Sequence, residues 1–167
     1  MIRLRPPQER DARRIAEICA DPEIARWTNV PSPYTLEDAH AWIALAAVER
    51  ARGTGLHLVV VREAEDRVVG SAALRVRGGP EPYGDAGYYV APDARRGGVA
   101  ARALELITHL GLEELSLPYV EVVISPDNAP SAGVARRAGY AERRRELREF
   151  KGALTEFAVW RRDATQP

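Results

Sequence analysis

Apolar and polar residues recur along the chain with the periods that distinguish strands from helices. Apolar residues alternate with arginines over Ile2–Arg5, which predicts a short strand. Ile15, Ile18 and Cys19 recur at i, i+3 and i+4, which predicts a helix over residues 9–20. The same rules predict further strands at 56–62, 68–75, 86–90, 119–124, 140–148 and 153–161, and further helices at 35–52, 99–115 and 131–138.

The order of these elements indicates an α/β protein in one domain that spans residues 1–167. The strands at 86–90 and 119–124 flank a strongly apolar helix, and such a β-α-β unit requires a parallel pair with a right-handed crossover. The other strands follow one another as hairpins and should be antiparallel. We therefore expect a central mixed sheet of six to seven strands with helices on both faces. The proline-rich residues 21–34 are expected to be irregular.

Composition excludes several classes of protein. The chain has 167 residues, 46% of them apolar, which is enough for one ordinary core. Its 24 acidic residues balance its 24 basic residues, so its charge favours neither nucleic acid nor an anionic membrane as partner. No apolar run approaches the roughly 18 residues that cross a bilayer, and the first residues lack the apolar core of a signal peptide. Cys19 is the only cysteine, and the three histidines show no metal-ligand spacing. We expect a cytoplasmic protein, monomeric or homodimeric, that binds no metal.

A basic, glycine-bearing loop is the most informative segment. Pro92 ends a strand, and Arg95-Arg96-Gly97-Gly98 opens the next helix. A helix N-terminus leaves about four amide N–H groups without partners and carries about half a positive charge. Glycines let an anion approach the backbone closely, so the loop suits a diphosphate. Because Pro92 cannot donate a ladder hydrogen bond, we expect the strand to splay from its neighbour there and to expose backbone groups to an extended, amide-bearing ligand.

Four short motifs together resemble the GNAT superfamily of acyl-CoA-dependent N-acyltransferases. Arg95-x-x-Gly98-x-Ala100 matches the superfamily signature Q/R-x-x-G-x-G/A. Three more motifs resemble the branch that contains the ribosomal-protein N-terminal acetyltransferases: Asn128-Ala-Pro-Ser131, Ala138-Gly139-Tyr140, and Asp85-Ala-Gly87-Tyr88 with Asp in place of Glu. Each motif alone is weak, but the four occur in the right order and spacing over essentially the whole chain.

The resemblance implies the GNAT fold, with acetyl-CoA as cosubstrate. The residues it assigns to the diphosphate loop are Arg95, Arg96, Gly97, Gly98, Val99, Ala100 and Ala101, with backbone amides from about Arg96 onward as the ligands. Val90, at the splay, is expected to pair with pantetheine. Asn128 is expected either to bond the pantetheine arm or to fix the loop after the strand at 119–124. Ser131 is expected near the thioester sulfur.

The resemblance also implies direct attack of a neutral amine on the thioester in a ternary complex. Asp85 is a candidate general base, and its alternative is a solvated residue that caps the turn at Gly84. Ser131 is a candidate proton donor to the thiolate, and its alternative is the helix N-cap. Tyr140 is a second candidate donor, and its alternative is core packing. The candidate substrate-binding residues are Trp27, Tyr34 and Glu156.

The residues leave two acceptor classes and two other function classes to weigh. A protein N-terminus needs an open groove, whereas a small amine needs a closed pocket with acidic residues. A catalytically degenerate GNAT-fold protein would bind CoA, or only a partner, without turnover, and the short reach of Asp85 keeps this alternative open. A nucleic-acid binder that uses the run Arg143-Arg144-Arg145 is disfavoured by the zero net charge and by the lack of a matching motif.

Overall fold

The computed structural model describes residues 1–164, within which the chain forms seven strands and five α-helices. The strands are β1 Ile2–Arg5, β2 Gly55–Arg62, β3 Arg67–Arg77, β4 Tyr83–Val90, β5 Tyr119–Ile124, β6 Ala141–Phe150 and β7 Ala153–Asp163. The helices are α1 Ala12–Cys19, α2 Pro22–Trp27, α3 Leu36–Arg52, α4 Val99–His109, which a π-helical turn at Leu110–Glu114 extends, and α5 Ala129–Arg137. Residues 165–167, the end of the predicted domain, lie outside the described residues. None of the helices in residues 1–164 is long and apolar enough to cross a membrane.

All seven strands of this part of the chain belong to one sheet, in the order β1-β2-β3-β4-β5-β7-β6. β4 and β5 are parallel, and the other neighbouring pairs are antiparallel. α4 connects the parallel pair, as the β-α-β pattern predicts. The expected mixed sheet is confirmed.

Helices cover both faces of the sheet, as expected. Tyr88 and Tyr89 are neighbours on β4, so their side chains point to opposite faces. The Tyr89 hydroxyl lies 3.3 Å from Sγ of Cys19 in α1, whereas the Tyr88 hydroxyl lies 2.6 Å from Oγ of Ser131 in α5. α1 and α5 therefore lie on opposite faces, and α4 packs against α5. We call these faces the α1 face and the α5 face.

The segment 21–34, expected to be irregular, contains the short helix α2. The carboxylate of Asp21 accepts a hydrogen bond from the Glu23 N–H at 3.3 Å, and Pro22 occupies the first turn. The expectation is wrong because Asp21-Pro22, which is a turn signal, is equally favourable at a helix start. With only six residues, α2 is too short for hydrophobic periodicity to indicate it.

β4 and β5 splay apart within the sheet. Their pairing is restricted to Gly84–Ala86 and Val120–Val122, so the rest of β4 has no strand neighbour on that side within residues 1–164. The splay therefore begins after Ala86, earlier along β4 than the predicted start at Pro92. The Ala91 N–H still donates to the Val69 carbonyl at 2.9 Å, so Pro92 ends the pairing of β4 with β3 rather than its pairing with β5.

Candidate active site

The N-terminus of α4 presents a row of amides without protein acceptors. Within residues 1–164, the backbone N–H groups from Arg96 to Ala101 donate to no protein atom. The next amide, that of Arg102, donates to the Gly98 carbonyl at 3.1 Å. Gly98 is the N-cap, with a left-handed φ of 74°, and it has no side chain that could cap these amides. The helix start therefore has the unpaired donors that an anion site needs.

The splayed edge of β4 presents a second set of backbone groups, which face no strand among residues 1–164. Bonded and non-bonded residue pairs alternate along an antiparallel ladder. Because Ala91 bonds to Val69 of β3, Tyr88 and Val90 direct their N–H and C=O groups toward the space that β5 leaves. An extended ligand with amide groups could pair with this edge. Val90 therefore lies beside the splay, where the sequence predicts it.

A cleft of about 460 Å³ joins the start of α4 to the open edge of β4. The predicted site residues that line it are Trp27, Val90, Arg95, Arg96, Gly98, Val99, Ala100, Ala101, Asn128 and Ser131. Its charged residues are Arg95, Arg96, Arg137 and Glu23, so positive charge dominates. The cleft therefore suits an elongated anion. No three His, Cys, Asp or Glu side chains of residues 1–164 are grouped so that they could hold a metal ion.

Arg95 and Gly97 differ from the other residues of the predicted diphosphate loop. The Arg95 guanidinium forms an ion pair with Asp21, the N-cap of α2, and its Nε donates to the Val90 carbonyl at 3.2 Å. Arg95 therefore ties the loop to α2 and β4, which restricts the contact with phosphate that the sequence predicts. Gly97 belongs to the loop but does not line the cleft. Arg96 forms no ion pair with a described carboxylate.

Asn128 and Ser131 shape the start of α5. Oδ1 of Asn128 accepts the Ser131 N–H at 3.2 Å, so Asn128 is the N-cap that fixes the loop after β5. Ser131 is therefore not the cap, and its hydroxyl instead meets the Tyr88 hydroxyl. Burial raises the pKa of the Tyr88 phenol, and the hydrogen bond with Ser131 offsets this only in part. Tyr88 therefore keeps its proton at neutral pH and can donate it.

Tyr140 lies away from the cleft. Its ring is buried, and its hydroxyl lies 2.5 Å from Oγ1 of Thr108 in α4. Burial raises the pKa of its phenol. Because Tyr140 bonds within the core and does not line the cleft, the structure does not bring this candidate proton donor to the site.

Asp85 lies on the α1 face beside the start of the splay, outside the cleft lining. Its Oδ2 accepts hydrogen bonds from Nε and Nη2 of Arg77 at 2.9 and 2.5 Å. Glu121 lies directly opposite on β5, is buried, and accepts two hydrogen bonds from Arg144 at 2.7 and 3.0 Å. Two carboxylates, each neutralised by an arginine, therefore stand side by side where β4 and β5 separate.

Trp27 lies in the cleft, whereas Tyr34 does not. Trp27 Nε1 donates to Oε2 of Glu23 at 3.1 Å, so α2 presents an indole and a carboxylate to the cleft. Tyr34 instead packs against the hydrophobic core, where burial, followed by the neighbouring Cys19, raises the pKa of its phenol. The turn between β6 and β7 also contacts α2, because the Lys151 ammonium donates to carbonyl groups at the end of α2.

Glu156 points away from the face that carries Asp85. Asp85 aligns with Glu121, and Glu121 aligns with Arg161 of β7, so these three side chains share the α1 face. Glu156 lies five positions before Arg161, which places its side chain on the α5 face. There it pairs with Arg145 at 3.1 Å. The structure therefore separates Glu156 from Asp85 and from the cleft, contrary to its predicted role in substrate binding.

Sequence reasoning missed five polar residues that line the cleft: Glu23, Thr28, Tyr88, Tyr89 and Arg137. Tyr88 could have been found, because strand alternation places it on the same face as Val90. Glu23 could not, because its position depends on α2, which periodicity does not indicate.

Comparisons with known proteins agree with this geometry. A family model described as an acetyltransferase (GNAT) domain matches residues 2–141. A comparison with the sequences of curated proteins finds no significant match.

Three solved structures illustrate the shared fold. Mycobacterium smegmatis RimJ, in complex with CoA-disulfide, has a TM-score of 0.86 and 22% identity, over 98% of this chain and 82% of that chain. The ribosomal-protein-S5-alanine acetyltransferase of Vibrio fischeri has a TM-score of 0.84 and 18% identity, over 97% and 92% of the two chains. The spermidine N-acetyltransferase of Vibrio cholerae, in complex with CoA and spermine, has a TM-score of 0.80 and 16% identity, over 97% and 95%. At these identities, the similarity establishes the fold.

Proposed function

Because the chain belongs to the family of GNAT-domain acetyltransferases, we propose that it transfers the acetyl group of acetyl-CoA to a primary amine by direct attack in a ternary complex. The observation that carries this proposal is the row of unpaired amides from Arg96 to Ala101, which opens onto a positively charged cleft beside the splayed edge of β4. A diphosphate would take up the amides, and an amide-bearing arm would pair with the edge.

The residues of the cleft divide the binding task between them. The amides at the start of α4, with the Arg96 side chain, would hold the diphosphate. The N–H and C=O groups of Tyr88 and the N–H group of Val90 would hold the pantetheine arm, since the Val90 carbonyl already accepts a hydrogen bond from Arg95. Asn128 would keep the start of α5 in place beside this arm. Acetyl-CoA supplies the acetyl group and departs as the free thiol.

The reaction requires little from the protein beyond orientation and proton transfer. The amine nitrogen bonds to the carbonyl carbon, the carbon–sulfur bond breaks, the nitrogen loses one proton and the sulfur gains one. Ser131, bonded to Tyr88, would supply the proton to sulfur, Tyr88 would restore the proton of Ser131, and Tyr88 would regain its own proton from solvent before the next turnover. Asp85, on the opposite face beside the splay, would accept the proton from the amine through a bridging water.

A panel of amines is needed to identify the acceptor. Trp27 and Glu23 offer an aromatic ring and a carboxylate, which suit an ammonium group before it loses its proton. The solved relatives are named for a ribosomal protein and for spermidine, so both acceptor classes belong in the panel.

Thiol release from acetyl-CoA, measured with a panel of N-terminal peptides, polyamines and amino acids, tests the proposal. The expected result is that one class of amine gains an acetyl group, seen by mass spectrometry, in equal amount to the thiol released. A reaction without amine is the control for hydrolysis. If calorimetry shows that CoA binds but no amine in any class is acetylated, the protein is the catalytically degenerate binder instead.

A further inference from the structure

A second cavity lies between α4 and α5, directly beside the cleft. Three arginines line it, Arg102, Arg137 and Arg162, together with His109 and one carboxylate, Glu105. Arg137 also lines the cleft, so one side chain borders both spaces. The cavity is therefore a basic extension of the cleft rather than a separate site.

Two of these arginines are available to an anionic ligand. Many other arginines of the chain are paired with carboxylates, as in the pair of Arg145 with Glu156. Arg137 and Arg162 differ, because neither has a carboxylate oxygen within 4.0 Å among residues 1–164. In a chain with equal numbers of acidic and basic residues, cations left unpaired at a cavity indicate a site for a negatively charged ligand.

Hydrogen bonds to the backbone hold both guanidinium groups in place. Nε of Arg137 donates to the Gly133 carbonyl at 3.2 Å, one turn earlier in α5. Nη1 of Arg162 donates to the Ala138 carbonyl at 2.9 Å. This carbonyl belongs to the negative end of α5 and would otherwise repel an anion. Each arginine therefore uses one donor for its own position and keeps others for a ligand.

We propose that this cavity binds the 3′-phosphate on the ribose of CoA, with Arg137 as the principal ligand and Arg162 as the second cation. The inference rests on the proposed function, which places the diphosphate at the start of α4. The 3′-phosphate is the remaining phosphate of CoA, one ribose away from the diphosphate. Arg102 pairs with Glu105 at 3.1 Å and so reduces the repulsion between that carboxylate and the phosphate. A guanidinium offers two parallel donors to a phosphate, which a compact ammonium cannot do.

Isothermal titration calorimetry with CoA and with 3′-dephospho-CoA tests the inference. The wild type should bind CoA about tenfold or more tightly than dephospho-CoA, as expected for charge-assisted hydrogen bonds. The variant Arg137→Gln should lose this preference and keep its affinity for dephospho-CoA, which also shows that it has folded. The matched control is Arg136→Gln, because Arg136 stacks on Trp160 at 5.5 Å and lines neither cavity. This variant should keep the preference.

The outcomes separate the inference from the function on which it rests. Equal affinity of the wild type for the two ligands would overturn the phosphate site and leave acetyl transfer standing. If Arg137→Gln weakened the binding of CoA and of dephospho-CoA equally, the phosphate site would also be overturned, because Arg137 would then act within the cleft alone. Binding of neither ligand would overturn both proposals.

Discussion

The hydroxyl groups of Tyr88 and Ser131 lie 2.6 Å apart, and they link β4, beyond its last pairing with β5, to the first turn of α5. Both residues line the cleft, and the main chain of Ser131 is held by Asn128. The pair can pass a proton from the phenol through the serine to an atom in the cleft. We therefore propose this pair as the proton donor of the site.

Replacement of Ser131 by Ala, or of Tyr88 by Phe, should slow turnover more than it weakens cofactor binding. We expect kcat to fall about 10- to 100-fold, at or below the usual range for the loss of a general acid. The Kd for CoA should change by less than about threefold, because neither hydroxyl belongs to the predicted diphosphate site. Steady-state kinetics and calorimetry on the same preparations separate the two effects. Unchanged kcat in both variants would remove the pair from the mechanism.

A negative charge at the start of α4 should prevent cofactor binding without harm to the fold. Ala101→Glu should weaken CoA binding by about 100-fold or more, because a like charge beside the diphosphate is unfavourable by several kcal/mol. The melting temperature should stay level or rise, since an acidic residue in the first turn stabilises a helix by about 0.3–1 kcal/mol. The matched control Ala101→Gln has nearly the same size and should bind within about fivefold of the wild type. Equal affinity of the two variants would mean that no phosphate lies there.

The role of the Asp85 carboxylate can be tested separately from that of its ion pair with Arg77. Asp85→Asn removes the carboxylate, and we expect kcat to fall about tenfold or more if it accepts the proton of the amine. Arg77→Gln breaks the same ion pair but keeps the carboxylate, and it should retain kcat within about fivefold. Glu156→Gln, on the opposite face of the sheet, should leave kcat unchanged. Equal losses in the Asp85 and Arg77 variants would show that the pair supports the strand rather than the reaction.

The buried ion pair between Arg5 and Asp11 gives the fold a defined dependence on pH. Two hydrogen bonds of 2.7 and 2.9 Å join these side chains, which are only 8% and 5% exposed. Burial alone would raise the pKa of the Asp11 carboxyl, but hydrogen bonds from Arg5 and from the Gln8 N–H outweigh it and hold that pKa below its usual value. The stabilisation is therefore complete above the unfolded pKa of about 3.9 and is lost as the pH falls through the lower folded pKa.

Asp11→Asn should lower the free energy of unfolding at pH 7 by about 3–5 kcal/mol, because it leaves Arg5 buried without its partner. The control is Asp66→Asn, because Asp66 forms only exposed ion pairs, with Arg3 and Arg10. Its replacement should lower the free energy of unfolding by less than about 1 kcal/mol. Urea unfolding between pH 3 and pH 7 should show a smaller loss of stability toward acid in the Asp11 variant than in the wild type. An equal loss of stability toward acid in the variant and the wild type would contradict the assignment of this pH dependence to Asp11.

The parallel pair and the start of α4 could be predicted because local rules decide them. The β-α-β pattern requires β4 and β5 to be parallel, and Gly98 before an apolar helix leaves amides without a cap. Once this helix start is predicted, the residues around Gly98 that line the cleft are predicted with it. Strand alternation would also have separated Glu156 from Asp85, had the register of β7 been known.

The remaining differences between the predictions and the structure depend on contacts between segments that lie far apart in sequence. Arg95 lines the cleft as expected, but its guanidinium forms an ion pair with Asp21 of α2, which the sequence does not indicate. A long, flexible side chain takes the nearest favourable partner, and the sequence does not indicate which one that is. Tyr140 illustrates the same limit, because the partner of its hydroxyl is Thr108, on a helix whose packing is decided by the whole sheet.

The most direct test of the central assignment is a titration of the isotope-labelled protein with CoA, followed by the backbone amide signals in nuclear magnetic resonance spectra. The amide protons from Arg96 to Ala101 should show the largest shifts, saturating with the affinity found by calorimetry, because a bound diphosphate would become their hydrogen-bond acceptor. Saturation of binding with those six amides unshifted would contradict the assignment of the α4 N-terminus as the diphosphate site.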